Sequence, residues 1–221
     1  MTGIGIIVGM RSEAALLPAS CRIACSGGLP AKARRLADGL LADGVKGLVS
    51  FGIAGGLEPS LRPGDLVIAT GVATPEGIVA TDVAWRRRLT AALPAARGGL
   101  IQGENKIAAT PERKAILFGN TRAVAVDLES AAVAQACAAA GIPFAVIRAV
   151  ADPAERRLPT LALDALDETG RPRPMKVAAG LLRRPEELPG LIRVGLDSRA
   201  ALSALRAAVR RLGPALGFQA P

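Results

Sequence analysis

Histidine and tyrosine are absent from this sequence, and it has only one tryptophan and four phenylalanines. The missing histidine excludes Ser-His-Asp and Cys-His catalysis, His-Glu-x-x-His zinc sites and histidine general bases. Acid–base chemistry must then fall to carboxylates, Lys, Arg or bound water. The scarcity of aromatics argues against a stacking platform for single-stranded nucleic acid, which is not expected as a partner. No apolar run reaches the roughly 20 residues of a membrane span. Met1–Met10 is apolar but has no basic leader or cleavage site, so it reads as a first strand rather than a signal peptide. Cys21, Cys25 and Cys137 are odd in number and lack metal-ligand spacing. They read as free thiols of a reducing cytoplasm. Neither a metal nor a cofactor is expected.

Half of the 221 residues are hydrophobic, mostly Ala, Leu, Val and Ile. A chain of this size and composition fits one domain with a large core. The net charge is +9, carried mainly by Arg. Such a charge fits an anionic partner such as nucleic acid or a lipid surface. It also fits an Arg-rich genome whose cations sit on solvated helix faces, because much of the excess lies in helical segments near the C-terminus.

Apolar runs alternate with helical stretches. Ile4–Gly9 is a continuous apolar run ending in Gly, as in buried parallel strands. A short helix is expected over Arg11–Leu17 and a strand over Arg22–Ser26. Pro30 suits the first turn of a helix running to about Asp43, and Gly44 suits its end. The strand Gly47–Phe51 leads into Gly52-Ile53-Ala54-Gly55-Gly56, expected as a small-residue turn. Strands follow at Asp65–Thr70, Gly99–Gln102, Ala123–Val126 and Pro143–Val150. Helices are expected at Asp82–Leu93, Pro111–Phe118 and Ala131–Ala140. Beyond Pro153 the chain reads as helical with proline breaks, its last helix spanning Ser198–Leu212. This alternation predicts an α/β fold: a three-layer α/β/α sandwich around a mixed, mostly parallel twisted sheet. The organisation expected is one domain over residues 1–221, with a helical C-terminal extension over about 154–221.

Ligands of such sheets bind at the carboxyl ends of the strands. Glu13, the Gly52–Gly56 segment, Glu129 and Asp152 fall at those ends. Each has a plainer local explanation. The glycines permit a tight turn, or let a ligand approach the backbone. Glu129 is a favourable helix N-terminal charge, or a ligand for ribose hydroxyls. Arg148 lies inside an apolar strand and needs a carboxylate, for which Asp127, Glu129 and Glu13 are candidates. Asp152-Pro153 is a turn former, or a site acid in an extended conformation.

Together, four ordered segments resemble the purine nucleoside phosphorylase/nucleosidase superfamily. They are Ile4-Gly-Ile-Ile-Val-Gly-Met-Arg-Ser-Glu13, Gly52-Ile-Ala-Gly-Gly-Leu57 with Pro63-Gly-Asp65, Val126-Asp-Leu-Glu-Ser130, and Val146-Ile-Arg-Ala-Val-Ala-Asp152. The likeness covers about residues 2–153 and looks closest to the methylthioadenosine/S-adenosylhomocysteine nucleosidase branch. With the C-terminal stretch Arg156–Pro189, the chain most resembles the hopanoid-associated nucleoside phosphorylases. Those are proposed to remove adenine from adenosylhopane.

The resemblance implies the nucleoside phosphorylase-like fold and cleavage of an adenosine-type N-glycosidic bond. By position, Asp152 matches the acid at purine N7 and Glu13 the carboxylate that orients and deprotonates water. Glu129 matches the ribose-hydroxyl ligand, Arg148 an arginine near water and ribose, and Leu128 packs beneath the ribose. Ile107 and Val126 fall on the base side. Gly9, Ile53, Ala54 and Gly55 fall on the nucleophile or phosphate side. Two departures stand out: Ile53 replaces a serine of the nucleosidases, and Lys106 an aromatic near adenine. Glu13 stands where related phosphorylases carry a phosphate-gripping Arg, so water is the expected nucleophile. A homodimer is also implied. A lipid-linked substrate would need an apolar exit, for which Leu181, Leu182, Leu188, Leu191 and Ile192 are candidates, with core packing as the alternative. Peripheral contact with the inner membrane would follow.

Overall fold

The computed structural model describes residues 3–163, 165 and 167–219. Its strands are β1 (Ile4–Val8), β2 (Arg22–Cys25), β3 (Gly47–Gly56), β4 (Leu66–Thr74), β5 (Gly77–Ala80), β6 (Arg97–Gly103), β7 (Ala125–Asp127) and β8 (Phe144–Asp152). Its helices are α1 (Arg11–Ala14), α2 (Pro30–Ala42), α3 (Val83–Ala92), α4 (Pro111–Thr121), α5 (Ser130–Ala140), α6 (Thr160–Leu163), α7 (Pro174–Leu181) and α8 (Leu188–Leu212). A short 3-10 turn, Pro185–Glu187, joins the last two.

The strands form one mixed sheet in the order β2-β1-β3-β7-β6-β4-β5, with β8 pairing both β3 and β4. Most pairings are parallel; β3–β7, β4–β5 and β4–β8 are antiparallel. The double pairing of β8 closes β3, β7, β6, β4 and β8 into a ring. This is the expected α/β sandwich with part of its sheet curled shut. Curling leaves β8 without a free edge, so its apolar run is buried from Phe144 to Ala151.

Two apolar cores flank the sheet. On one face, Ala33 and Ala37 of α2 and Ala132, Val133, Ala136 and Cys137 of α5 pack on Leu48, Val67 and Val146. Alanine-rich helices allow that close approach. On the other, Trp85 and Leu89 of α3 and Ala201, Leu205, Ala208 and Val209 of α8 cover Ile6, Val49, Phe51 and Ile147. The Trp85 indole N–H donates to the Leu216 carbonyl at 2.8 Å, satisfying its one buried polar atom.

Three local expectations need correction. Gly52–Gly56 is not a turn but the second half of β3. It pairs β8 through Gly52–Arg148 to Ala54–Val150, then slips register at Gly55 to meet Asp152. Small residues mimic a turn here because they leave room for side chains on neighbouring strands. Second, β5 was not anticipated; its residues are mostly exposed and show no alternation. Third, α8 starts at Leu188, ten residues before Ser198. Pro189 sits in its first turn, where a missing N–H costs nothing.

Candidate active site

Glu13 is 1% exposed and sits on the short helix after β1. One carboxylate oxygen accepts the Gly9 and Met10 N–H groups, each at 2.8 Å. The other accepts the Ile53 N–H at 2.8 Å. Burial pushes its pKa up to about 7, against the pull of Arg148 and aided by Glu129. Glu13 is therefore bolted to the end of β1 and to the middle of β3 while remaining able to take a proton near neutrality.

Arg148, 1% exposed, is the hub of a buried charge network. Its Nε lies 2.6 Å from Asp127 Oδ2, and its Nη2 lies 3.3 Å from Glu129 Oε2. The Nε contact is charge pairing without hydrogen-bond alignment. Nη2 donates to Ser50 Oγ at 2.6 Å, and Nη1 to the Ile53 carbonyl at 3.3 Å. Burial alone would weaken the guanidinium charge; Asp127, Glu129 and Glu13 outweigh it and raise the Arg148 pKa. Of the candidate partners, Asp127 and Glu129 thus make the ion pairs, and Glu13 acts at longer range.

Asp127 also accepts the Ser130 N–H at 2.9 Å and the Ser130 hydroxyl, fixing the start of α5. Glu129 occupies the N-cap position but makes no side-chain cap bond. Its carboxylate is directed elsewhere, accepting the Ser26 hydroxyl at 3.2 Å. Burial raises its pKa, opposed by Arg148 and reinforced by Asp127.

The glycines make this packing possible. A Cβ on Gly9 would stand 2.7 Å from Glu129 Oε1. One on Gly52 would stand 2.4 Å from Glu13 Oε1 and 2.7 Å from Arg148 Nη1. One on Gly55 would stand 3.2 Å from both Asp152 Oδ2 and Val126 Cγ1. Along β3, Gly52 at mid-strand marks the Glu13–Arg148 contact, and Gly55, near the C-terminal end, the Asp152 contact. Three residues of strand rise separate them, roughly 10 Å.

Asp152 closes β8, its side chain 16% exposed. Burial pushes its pKa up to about 6 despite the Lys114 ammonium beside it. Lys114, on α4, is fully buried and 2.5 Å from Asp152 Oδ2.

Other expected site residues are spread more widely. Val126 is buried beside Gly55. Leu128 is half-buried, its nearest tip 3.8 Å from where a Gly28 Cβ would stand. Ile53 contributes its backbone to Glu13 and Arg148. Ala54 points its methyl into the core under α2 and α5. Ile107 is 48% exposed on the loop after β6. It lines a cavity of about 580 Å³ with Gln102, Lys106, Arg113 and Thr74, and none of the charged groups above borders that cavity. Among the described residues, the buried carboxylates and their cations gather in the network around Arg148 and at Asp152–Lys114, outside that cavity.

Ser26, Ser50, Ser130 and Lys114 were not singled out as site residues by the sequence. A serine in a strand and a lysine in a helix read as solvated, and no local signal marks these as buried.

The phosphorylase superfamily's sequence profile matches residues 19–183. The chain belongs to the phosphorylase superfamily. Among curated proteins, it is similar to the 5′-methylthioadenosine/S-adenosylhomocysteine nucleosidase of Haemophilus ducreyi. The two are 29% identical over 131 residues, 49% of this chain and 56% of that one, so the chain spans about half the relative's length. Among solved structures, the Helicobacter pylori nucleosidase of the same name superposes with a TM-score of 0.67 at 20% identity, covering 94% of this chain and 97% of that one. The Neisseria meningitidis nucleosidase in complex with methylthio-immucillin-A gives 0.65 at 22% identity, covering 92% and 97%. Helicobacter pylori futalosine hydrolase gives 0.61 at 22% identity, covering 67% and 87%. These likenesses establish that this superfamily member shares the nucleosidase fold almost end to end.

Proposed function

We propose that this protein hydrolyses the N-glycosidic bond of an adenosine-type nucleoside and releases adenine. The observation that carries the reading is the arrangement along β3. Glu13, Glu129 and Arg148 cluster about its middle, at Gly52, and Asp152 stands near its C-terminal end, at Gly55. The separation suits a ribose with water on one side and the base on the other. Asp152 donates its proton to purine N7 as the C1′–N9 bond breaks, so adenine leaves neutral. Glu129 holds the ribose hydroxyls, and its charge favours the oxocarbenium-like ribosyl cation. Glu13 takes the proton of the water that adds to C1′.

Water fits this site better than phosphate. Arg148, the cation on the Glu13 side, is already paired with Asp127 and Glu129. An incoming phosphate would meet net negative charge at short range. The test is adenine release with and without phosphate; strict phosphate dependence would overturn the hydrolytic reading.

The nucleoside we infer is lipid-linked, of the adenosylhopane type. The segment around Glu168–Gly170 packs on Gly9, Met10 and Gly27, at the Glu129 edge of the site. It leads directly into α7. From there Met175 (81%), Leu182 (88%), Ile192 (56%) and Leu196 (59%) stand exposed, so they are not core. Leu188 is also exposed, while Leu181 and Leu191 are half-buried. Arg171, Arg173, Arg183, Arg184 and Arg193, in the same stretch of chain, are also exposed, with Arg184 paired to Glu187. Exposed apolar side chains interspersed in sequence with arginines match an anionic lipid surface, where a 5′-alkyl arm can be drawn from the bilayer. Among the described residues, no helix is long and apolar enough to cross a membrane, so the contact proposed is peripheral. Turnover of adenosylhopane is to be compared with that of methylthioadenosine. A clear preference for methylthioadenosine, or no sedimentation with phosphatidylglycerol vesicles, would overturn the lipid-linked reading. The homodimer implied by the family resemblance belongs to the same proposal and is checked by analytical ultracentrifugation.

A further inference from the structure

Lys114 carries a cost that the fold alone does not explain. Its side chain is fully buried, and it lies in the opening turns of α4, close after Thr110 at the N-cap. Burial penalises an ammonium, and the positive end of a helix dipole penalises it again. The neighbouring core residues, Leu117 on this helix and Ala108 just before it, are apolar. A methionine or leucine at position 114 would have avoided both penalties.

What compensates is a set of acceptors drawn from one place. The Lys114 ammonium donates to the carbonyls of Pro153 at 2.8 Å, Arg156 at 3.2 Å and Asp152 at 3.3 Å. It also lies 2.5 Å from Asp152 Oδ2. Among the described residues, Asp152 is the one carboxylate within ion-pair distance of it. The three carbonyls belong to the last residue of β8 and the segment that follows it, so Lys114 anchors both the acid and the backbone that carries it. Pairing Lys114 with Oδ2 leaves Oδ1 free to address the base.

We propose that Lys114 is a positioning residue for the acid Asp152: it fixes the carboxyl rotamer from behind and sets the pH at which that carboxyl gives up its proton. This inference rests on the nucleosidase reading for its catalytic consequence, while the pairing itself does not depend on turnover. In the cycle, the Asp152 proton passes to purine N7 and leaves with adenine. The carboxylate so formed is held by the Lys114 ammonium until a solvent proton restores the acid.

The other charged groups facing Asp152 are Arg156, on the segment after β8, and Asp197, on α8. They pair with each other, so their influences on Asp152 largely oppose. Burial drives Asp152 towards its neutral form, and Lys114 is the leading influence against it. Removing Lys114 therefore leaves desolvation unopposed.

The test is Lys114→Met, followed in two ways. Carbon-13 carboxyl NMR, with Asp152→Asn to assign the signal, reads the Asp152 titration directly. The expected result is an upward move of at least one pH unit in Lys114→Met. The pH profile of adenine release is expected to shift its optimum upward as well. A merely structural lysine would lower the rate by the same factor at every pH and leave the titration where it was, which would overturn the proposal. If Lys114→Met does not fold, the Lys114 Nζ resonance of the unsubstituted protein is followed between pH 5 and 8. It must shift with the same midpoint as Asp152, and a flat signal would overturn the pairing. The outcomes also separate the two readings. An unsubstituted protein that releases adenine from no nucleoside sinks the proposed function but not the pairing. Normal turnover with an unmoved Asp152 titration sinks only the role of Lys114.

Discussion

Glu13 Oε1 lies only 2.4 Å from where a Cβ on Gly52 would stand, so this buried carboxylate occupies space that only glycine leaves open. The same virtual atom would stand 2.7 Å from Arg148 Nη1. Gly52→Ala is expected to displace Glu13 or Arg148 by several tenths of an ångström or more. Misplacement of a catalytic group on that scale costs on the order of 100-fold in rate. Steady-state kinetics on the folded variant checks this; kcat/KM within about threefold of the parent would show that the site tolerates the methyl.

Asp152→Asn keeps the shape but removes the transferable proton. General acid catalysis of this kind contributes roughly 10²–10⁴-fold, and a loss in that range is expected in kcat. Binding of an uncharged substrate analogue should change far less, as isothermal titration would show. Unchanged turnover would remove Asp152 from the role of acid.

Arg148→Met tests the buried network from its centre. It leaves Asp127 and Glu129, both nearly buried, without their cation. Breaking a buried pair by removing one partner costs about 3–5 kcal/mol. Urea unfolding should show that loss at pH 8 and a smaller one at pH 5, where Glu129, with its raised pKa, is more readily protonated.

The absence of histidine makes the pH dependence of stability unusually direct to read. Between pH 5 and 8, the side chains expected to titrate are the buried carboxylates, Glu13 and Asp152 foremost. Both have folded-state values above their unfolded ones. The folded protein thus binds more protons in that window, and stability falls as pH rises. For Glu13, a rise from 4.5 to about 7 corresponds to roughly 3 kcal/mol at 1.36 kcal/mol per unit. The loss runs from about pH 4.5 and is complete above about pH 7. Urea midpoints at pH 5 and pH 8 measure it; equal midpoints would show that Glu13 and Asp152 titrate normally.

The sequence exposed its strands and helices where apolar periodicity was strong, as in Ile4–Gly9, Pro30–Asp43 and Pro143–Val150. It misled where residue size served a neighbour instead of the local backbone. Gly52–Gly56 reads as a turn because glycines punctuate chains. In the fold the same glycines clear space for Glu13, Arg148 and Asp152 along a continuous strand. β5 escaped notice because an exposed edge strand needs no alternation.

Sequence alone carried the alternating α/β layout, the absence of histidine, and the four segments that bear Glu13, Glu129, Arg148 and Asp152. Those are properties of order and residue type, which survive without coordinates. Only the tertiary structure decided which groups pair. Asp127 proved to be the nearer partner of Arg148, the serines at 26, 50 and 130 joined the network, and Lys114 met Asp152 across 38 residues of chain. A lysine on a helix has the same local signature whether it faces solvent or an acid. Its partner is set by the packing of α4 against the end of β8, a contact between segments distant in sequence.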